Sequence, residues 1–334
     1  MSRTPRCVLQ SIPPRRLTGA VLVSNGERMV KNKISKQAER TPILVTGATG
    51  KTGSYVVSRL IQMGLPVRAL VHRRDQRAAG LESFGANTVV ADFFDMDSLR
   101  HAVEGIRRAY FCFPPADGLL EAATNFAVVA KEAGFESVVN MSQMHAREGH
   151  PSSLTRQHWL AERLLDWAGI GATHLRCTFF AEAYLIVNSL TIASERKFYL
   201  PHGDAEYAPV ACEDVARVVA AVLAKPERHV GRTYTVTGQK LMTQSEVASV
   251  FGAVLGQEVE YVAVPVGDWQ RTAAATGFPP FLIDHLAHAA EDCRRGLFAK
   301  VTDVVRKIGG RHPQSFEDFI RANARAFGGQ SVSN

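Results

Sequence analysis

A doubly wound α/β fold, in which helices flank a parallel sheet and a smaller α+β lobe follows at the C-terminal end, is the architecture this sequence predicts. Three observations predict it. From position 41 onward, short apolar runs alternate with helix-length amphipathic segments. The apolar runs are continuous, as in strands buried on both faces. Regular alternation of strand and helix implies right-handed crossovers into one parallel sheet.

The elements follow in order. ILVTG (43–47) reads as the first strand and is followed by a helix over 54–63; PVRALV (66–71) is the second, with a helix over 75–83. NTVVAD (87–92) precedes a helix over 96–104, and RAYFCF (108–113) one over 119–133. ESVVNMS (136–142), a helix over 154–167 and ATHLRC (172–177) complete a core assigned to 41–178. Beyond it the alternation loosens. In YAPVACEDVARVVAAVL (207–223) a short extended piece leads into a helix opened by Glu213 and Asp214, and RTYTVTG (232–238) reads as a strand. Thr243 and Glu246 form a capping box for a helix reaching 255. EVEYVAVP (258–265) alternates like an edge strand, and the rest reads as mainly helical. Residues 179–330 are therefore expected to complete the core and close over the carboxyl ends of the strands, where such sheets bind ligands.

Composition excludes several classes. The net charge of +7 lies in the N-terminal tail: residues 1–42 hold nine of the 39 basic groups and two of the 32 acidic ones, leaving thirty of each for the rest. A nucleic-acid binder needs its basic face on the folded domain, so none is expected there. Residues 1–40 read as a disordered basic extension, with Met29 as an alternative start; Pro13-Pro14 interrupts the helix a transit peptide needs. No apolar run has the length of a membrane span. The five scattered cysteines, without a C-x-x-C pair, point to a reducing cytoplasm.

LVTGATGKTGSY (44–55) carries the chemistry. Gly47, Gly50 and Gly53 directly follow an apolar strand and open a helix at the start of a βαβ unit, the setting a dinucleotide fingerprint requires. Glycines let backbone amides approach a pyrophosphate, and a helix beginning near Thr52 offers its positive dipole end. Thr49 and Lys51 add a hydroxyl and a charge at the phosphate edge. A carboxylate after the second strand selects NAD(H), whereas cations select the 2′-phosphate of NADP(H). The chain places His72, Arg73 and Arg74 there, so NADP(H) is favoured over NAD(H).

The G-x-x-G-x-x-G spacing, with VRALVHR, VVADFFDMDSL, AVVAKEAGFESVVNMS, HWLAERLLDWAGIGATHLRCTFFAEAY, EDVARVVAAVL and TYTVTGQKLMTQSEVA in order, resembles the short-chain dehydrogenase/reductase superfamily, in particular its NmrA-like branch of NAD(P)-binding, Rossmann-type proteins. The resemblance covers 42 to about 327. It implies that His72 stands at the family's arginine position, leaving Arg73 as the clamp. It also implies that Asp92 and Phe93 contact the adenine, and that Phe113 and Pro114 line the nicotinamide ribose.

Alcohol–ketone members of that superfamily use a Tyr-x-x-x-Lys proton donor, yet none of the seven tyrosines has a lysine four residues on. Reducing a simple ketone creates a basic alkoxide that needs an acid in place. A quinone or azo compound yields a delocalised anion that water protonates later. The conjugated acceptor is therefore expected. His158 and Glu162 lie one helical turn apart, either as a hydrogen-bonded pair that aims His158 at the cleft or as a plain helix brace. Ser142 matches the family's catalytic-serine position, from which it would donate a hydrogen bond to the acceptor's oxygen. Phe179, Phe180 and Tyr184 would form the floor of a flat aromatic pocket. No histidine or cysteine spacing suggests a metal. Two readings follow: an NADPH-dependent reductase of a conjugated small molecule, or a non-catalytic NADP(H) sensor acting through a regulatory protein partner. A homodimer is compatible with both.

Overall fold

In a computed structural model that describes residues 41–329, seven parallel strands form one sheet in the order β3-β2-β1-β4-β5-β6-β8. They are β1 (Ile43–Val45), β2 (Val67–Val71), β3 (Asn87–Val90), β4 (Arg108–Phe111), β5 (Ser137–Gln143), β6 (Ala172–Cys177) and β8 (Thr233–Val236). The expectations for residues 1–40 lie outside the described residues. Successive strands step outward from β1 to β3, then the chain returns to place β4 on the other side of β1. The crevice between the carboxyl ends of β1 and β4 is thus the topological switch point, where ligands bind in such sheets.

Helices cover both faces. On one side α1 (Lys51–Gln62), α2 (Gln76–Ser83) and α7 (Cys212–Ala224) bury Val56, Leu60, Leu81, Val215 and Val219 against the strands. On the other, α3 (Met96–Val103), α4 (Leu119–Glu132) and α5 (Ser153–Ala168) bury Leu99, Phe126 and Leu165. Local chemistry starts several of them. Asp75 accepts the amides of Arg77 and Ala78 to cap α2, and Asp95 does the same for α3 with Asp97 and Ser98. Ser152 caps α5 through Thr155. The expected capping box of Thr243 and Glu246 is present in full at α8 (Gln244–Leu255).

Between β6 and α7 the chain runs through a π-helical turn (Tyr184–Asn188), α6 (Ser189–Glu195) and β7 (Lys197–Leu200). The alternating segment at 258–265 becomes β9 (Glu260–Ala263), which pairs with β7 in a separate two-stranded parallel ribbon. Sequence patterning had not marked β7, because four residues carry too little periodicity. The last helices are α9 (Val266–Ala275), α10 (Pro280–Arg294), α11 (Val304–Gly309) and α12 (Phe316–Ala322). Tyr184, Phe198, Phe251, Phe316 and Phe327 pack as a second aromatic core under this part of the chain. Among the described residues no helix is long and apolar enough to cross a membrane, and Cys112, Cys177, Cys212 and Cys293 are free thiols.

Candidate active site

The helix expected from 54 already starts at Lys51, because the glycine loop closes within one turn. Gly47 adopts a left-handed φ of 58°, and a Cβ there would meet the Cys112 carbonyl at 2.9 Å. At Gly53 a Cβ would lie 2.1 Å from the Gly47 carbonyl. Only hydrogen side chains let this loop fold against itself. Gly50 is the N-cap, no side chain caps α1, and no acidic residue sits in its first turn. The first-turn amides of a helix have no intrahelical partner, so this end is open to an anion and carries the positive end of the dipole. Thr52 is buried, its hydroxyl held by Tyr110 at 3.1 Å.

The loop forms one end of a cavity of about 890 Å³. Gly47, Thr49, Gly50, Lys51 and Thr52 line that end, followed by His72, Asp92, Phe93, Phe113 and Pro114 at the ends of β2, β3 and β4. Phe93 is braced edge-on by Phe111 and Phe113, with ring centroids 5.6 Å away in both cases. Ser142, His158, Phe179 and Phe180 line the continuation past β5 and β6. Leu282, His285, Leu286 and Ala289 of α10 form a further wall together with Phe298. Sequence reading expected residues 179–330 to close over the strand ends but named none of these residues: an amphipathic helix near the C-terminus carries no motif that says which of its side chains face the cleft.

Four expectations need correction. Arg73 and Arg74, expected to hold the 2′-phosphate, do not line the cavity, whereas Arg77, exposed like them, does. The cap at Asp75 decides this, since it turns the chain into α2 and its carboxylate grips Arg77 at 3.1 and 2.8 Å, with Arg73 at 3.7 Å. The Arg77 hydrogen bond, then the Ala78 amide, hold the partly exposed Asp75 carboxyl down at about 2.

Tyr184, expected in the pocket floor, does not line it. Its ring packs on Phe198, Phe251 and Phe316, and its hydroxyl meets Tyr207 at 2.7 Å and Gln244 at 2.6 Å. The π-helical turn rotates it away from the cleft.

His158 and Glu162 are not a hydrogen-bonded pair. Glu162 is fully buried and accepts from Arg176 at 2.9 and 2.6 Å and from the Ser142 hydroxyl at 2.6 Å. Burial alone would raise its carboxyl, but the Arg176 and Ser142 hydrogen bonds outweigh that and hold it below its ordinary value. The fourth correction follows. A serine has one hydrogen to donate, and that of Ser142 is committed to a carboxylate, so Ser142 can present only lone pairs to the cavity. His158 is left without a hydrogen-bond partner among the described residues. Burial, then the neighbouring His285, push its imidazole down to about 4 against the pull of Glu162. It is neutral at physiological pH.

Parallel strands in doubly wound order, a switch-point crevice and an uncapped glycine-loop helix define a dinucleotide-binding protein of the Rossmann type. The model of the NmrA-like family matches residues 39–302, and the chain belongs to that family. It is 30% identical over 288 residues to an NAD(P)H azoreductase of Xenophilus azovorans, covering 86% of this chain and 99% of that protein. Among solved structures it is similar to an NADPH-dependent quinone oxidoreductase of Escherichia coli complexed with NADPH, with a TM-score of 0.76 and 25% identity over 84% of this chain and 99% of that one. A triphenylmethane reductase of Citrobacter sp. complexed with NADP(H) has the same fold, with a TM-score of 0.74 at 23% identity over 84% and 99% of the two chains.

Proposed function

We propose that this chain is an NADPH-dependent reductase that passes two electrons to a small conjugated acceptor such as a quinone or azo compound. One observation carries the reading: the cavity that begins at the open end of α1 continues past the strand ends into a chamber walled by Phe179, Phe180, Leu282, Leu286 and Phe298, an apolar lining suited to a flat conjugated acceptor. The kinship with the azoreductase and quinone oxidoreductase points the same way.

The cradle fits the cofactor, since a Cβ at Gly53 would fill it and the first-turn amides of α1 lack a side-chain cap. Gly47, Gly50 and Thr49 would hold the diphosphate with Lys51, Asp92 and Phe93 the adenine, and Phe113 and Pro114 the ribose beside the nicotinamide. His72 and Arg77 would meet the 2′-phosphate. Bound NADPH supplies the hydride. The chain's own contribution is to fix two flat π-systems against each other and to exclude water. It offers no tyrosine–lysine acid, which fits acceptors whose reduced anions are delocalised. The segment 179–330 acts as the lobe that closes the cleft, and the free thiols, three of the four among the described residues being buried, suit the cytoplasm.

The test is NADPH oxidation by the purified protein against a panel of quinones and azo dyes. Turnover above the blank with at least one acceptor is expected. Tight NADPH binding with no turnover on any acceptor would overturn the reading in favour of a sensor.

A further inference from the structure

We propose that His285 is the hydrogen-bond donor to the acceptor, presenting its Nε2–H into the apolar chamber. The proposal rests on the reductase reading above and deepens it. Ser142 has no hydrogen to offer the acceptor, its own being spent on Glu162; of His158 and His285, the imidazoles that line this continuation of the cavity with it, only His285 has a ring nitrogen fixed by protein partners.

Counting hydrogens assigns His285 to that role. Its Nδ1 lies 3.2 Å from the Ser152 hydroxyl and 3.4 Å from the Thr155 hydroxyl. The Ser152 oxygen already accepts the Thr155 amide at 3.4 Å as the cap of α5. Among the described residues neither hydroxyl hydrogen has another acceptor. If Nδ1 carried the proton, both would be left without one; if Nδ1 is bare, its single lone pair accepts from one of them, the nearer Ser152 hydroxyl. The proton then sits on Nε2. That nitrogen has no protein partner among the described residues, and the ring lines the cavity.

The tautomer is held from behind as well. Asp292 accepts from His150 Nε2 at 2.9 Å and from Arg147 at 2.9 and 3.2 Å, and His150 Nδ1 accepts the Ser152 amide at 3.0 Å. This chain of bonds pins both ends of the Ser152–His285 contact, one on α10 and one at the start of α5. Burial, then His150, push the His285 imidazole down to about 4, so it works at neutral pH as a fixed dipole and not as a cation. No proton leaves the ring. The hydrogen bond stabilises the anion as it forms, and solvent protonates it afterwards.

Two measurements test this. In nucleotide-free protein, nitrogen NMR of labelled histidine should show His285 as the Nε2–H tautomer; the Nδ1–H form would overturn the assignment. His285→Phe should lower kcat/KM for a quinone by about 10- to 100-fold, the worth of one hydrogen bond to a charged group, with NADPH affinity by calorimetry unchanged. His285→Gln keeps an N–H donor and should recover part of that loss. An unimpaired His285→Phe enzyme, a glutamine variant no better than phenylalanine, or an equal loss of NADPH affinity would each sink the proposal. A wild-type protein that reduces no acceptor would instead overturn the reductase reading, with the tautomer still decided by NMR.

Discussion

Asp292 and His150 lie 142 residues apart in sequence, yet the His150 Nε2 donates to the Asp292 carboxylate across 2.9 Å. Because His150 Nδ1 accepts the Ser152 amide, the ring is held neutral and the wall helix α10 is tied to the loop before α5. Burial lowers the His150 imidazole against the opposing pull of Asp292. Burial likewise pushes His158, His202 and His285 down to about 4.

These shifts set an acid limit on stability. A histidine whose folded value lies below the unfolded one takes up its proton more readily in the unfolded chain. Stability is then full above the unfolded value near ~6.5 and is lost as pH falls from there toward 4. Each proton of difference costs about 1.4 kcal/mol per pH unit. The melting temperature should drop steadily between pH 6.5 and 4.5, and a flat profile there would show that these rings are not held neutral.

The cofactor's 2′-phosphate gives a second prediction. Arg77→Ala should weaken NADPH by about 10- to 100-fold, as expected for losing a charge-assisted hydrogen bond, while leaving NADH nearly unaffected. Arg73→Ala should have a much smaller effect on either. Calorimetric titration with both nucleotides checks this, and equal losses for the two arginines would return the clamp to the loop.

Removing Glu162 should cost more than removing its hydroxyl donor. Glu162→Ala strands Arg176 and should destabilise by about 3–5 kcal/mol. Ser142→Ala leaves the carboxylate two of its three hydrogen bonds and should cost about 1–3 kcal/mol. Denaturant unfolding orders the two; a Ser142 variant as damaged as the Glu162 one would mean that Arg176 is not the main support.

Tyr184→Phe separates core from pocket. The variant strips a buried hydroxyl from Tyr207 and Gln244 and should lose about 1–3 kcal/mol of stability. The KM for acceptors should stay as in the wild type, since the ring does not line the chamber. A raised KM at unchanged stability would place it in the floor after all.

The nucleotide half of this molecule was legible from residue order, because its determinants are local. A strand, three glycines at fixed spacing and a helix start must be contiguous to grip a diphosphate, and continuous apolar runs mark strands buried on both faces. Asp92, Phe93, Phe113 and Pro114 were reached only through the family resemblance, since residues just past a strand end carry no local signal of what they touch. The acceptor half was not legible. Its wall comes from α10, more than a hundred residues away from Ser142 and His158, and only packing brings His285 beside Ser152. Side-chain direction was hidden for the same reason: whether Tyr184 faced the pocket hung on a π-helical turn, and whether Arg73 or Arg77 faced the cavity hung on one capping aspartate. The amino-acid order determined the sheet and its phosphate cradle through short-range geometry. Tertiary structure decided which hydrogens remain free to meet a substrate, since a donor's availability depends on every acceptor folded against it.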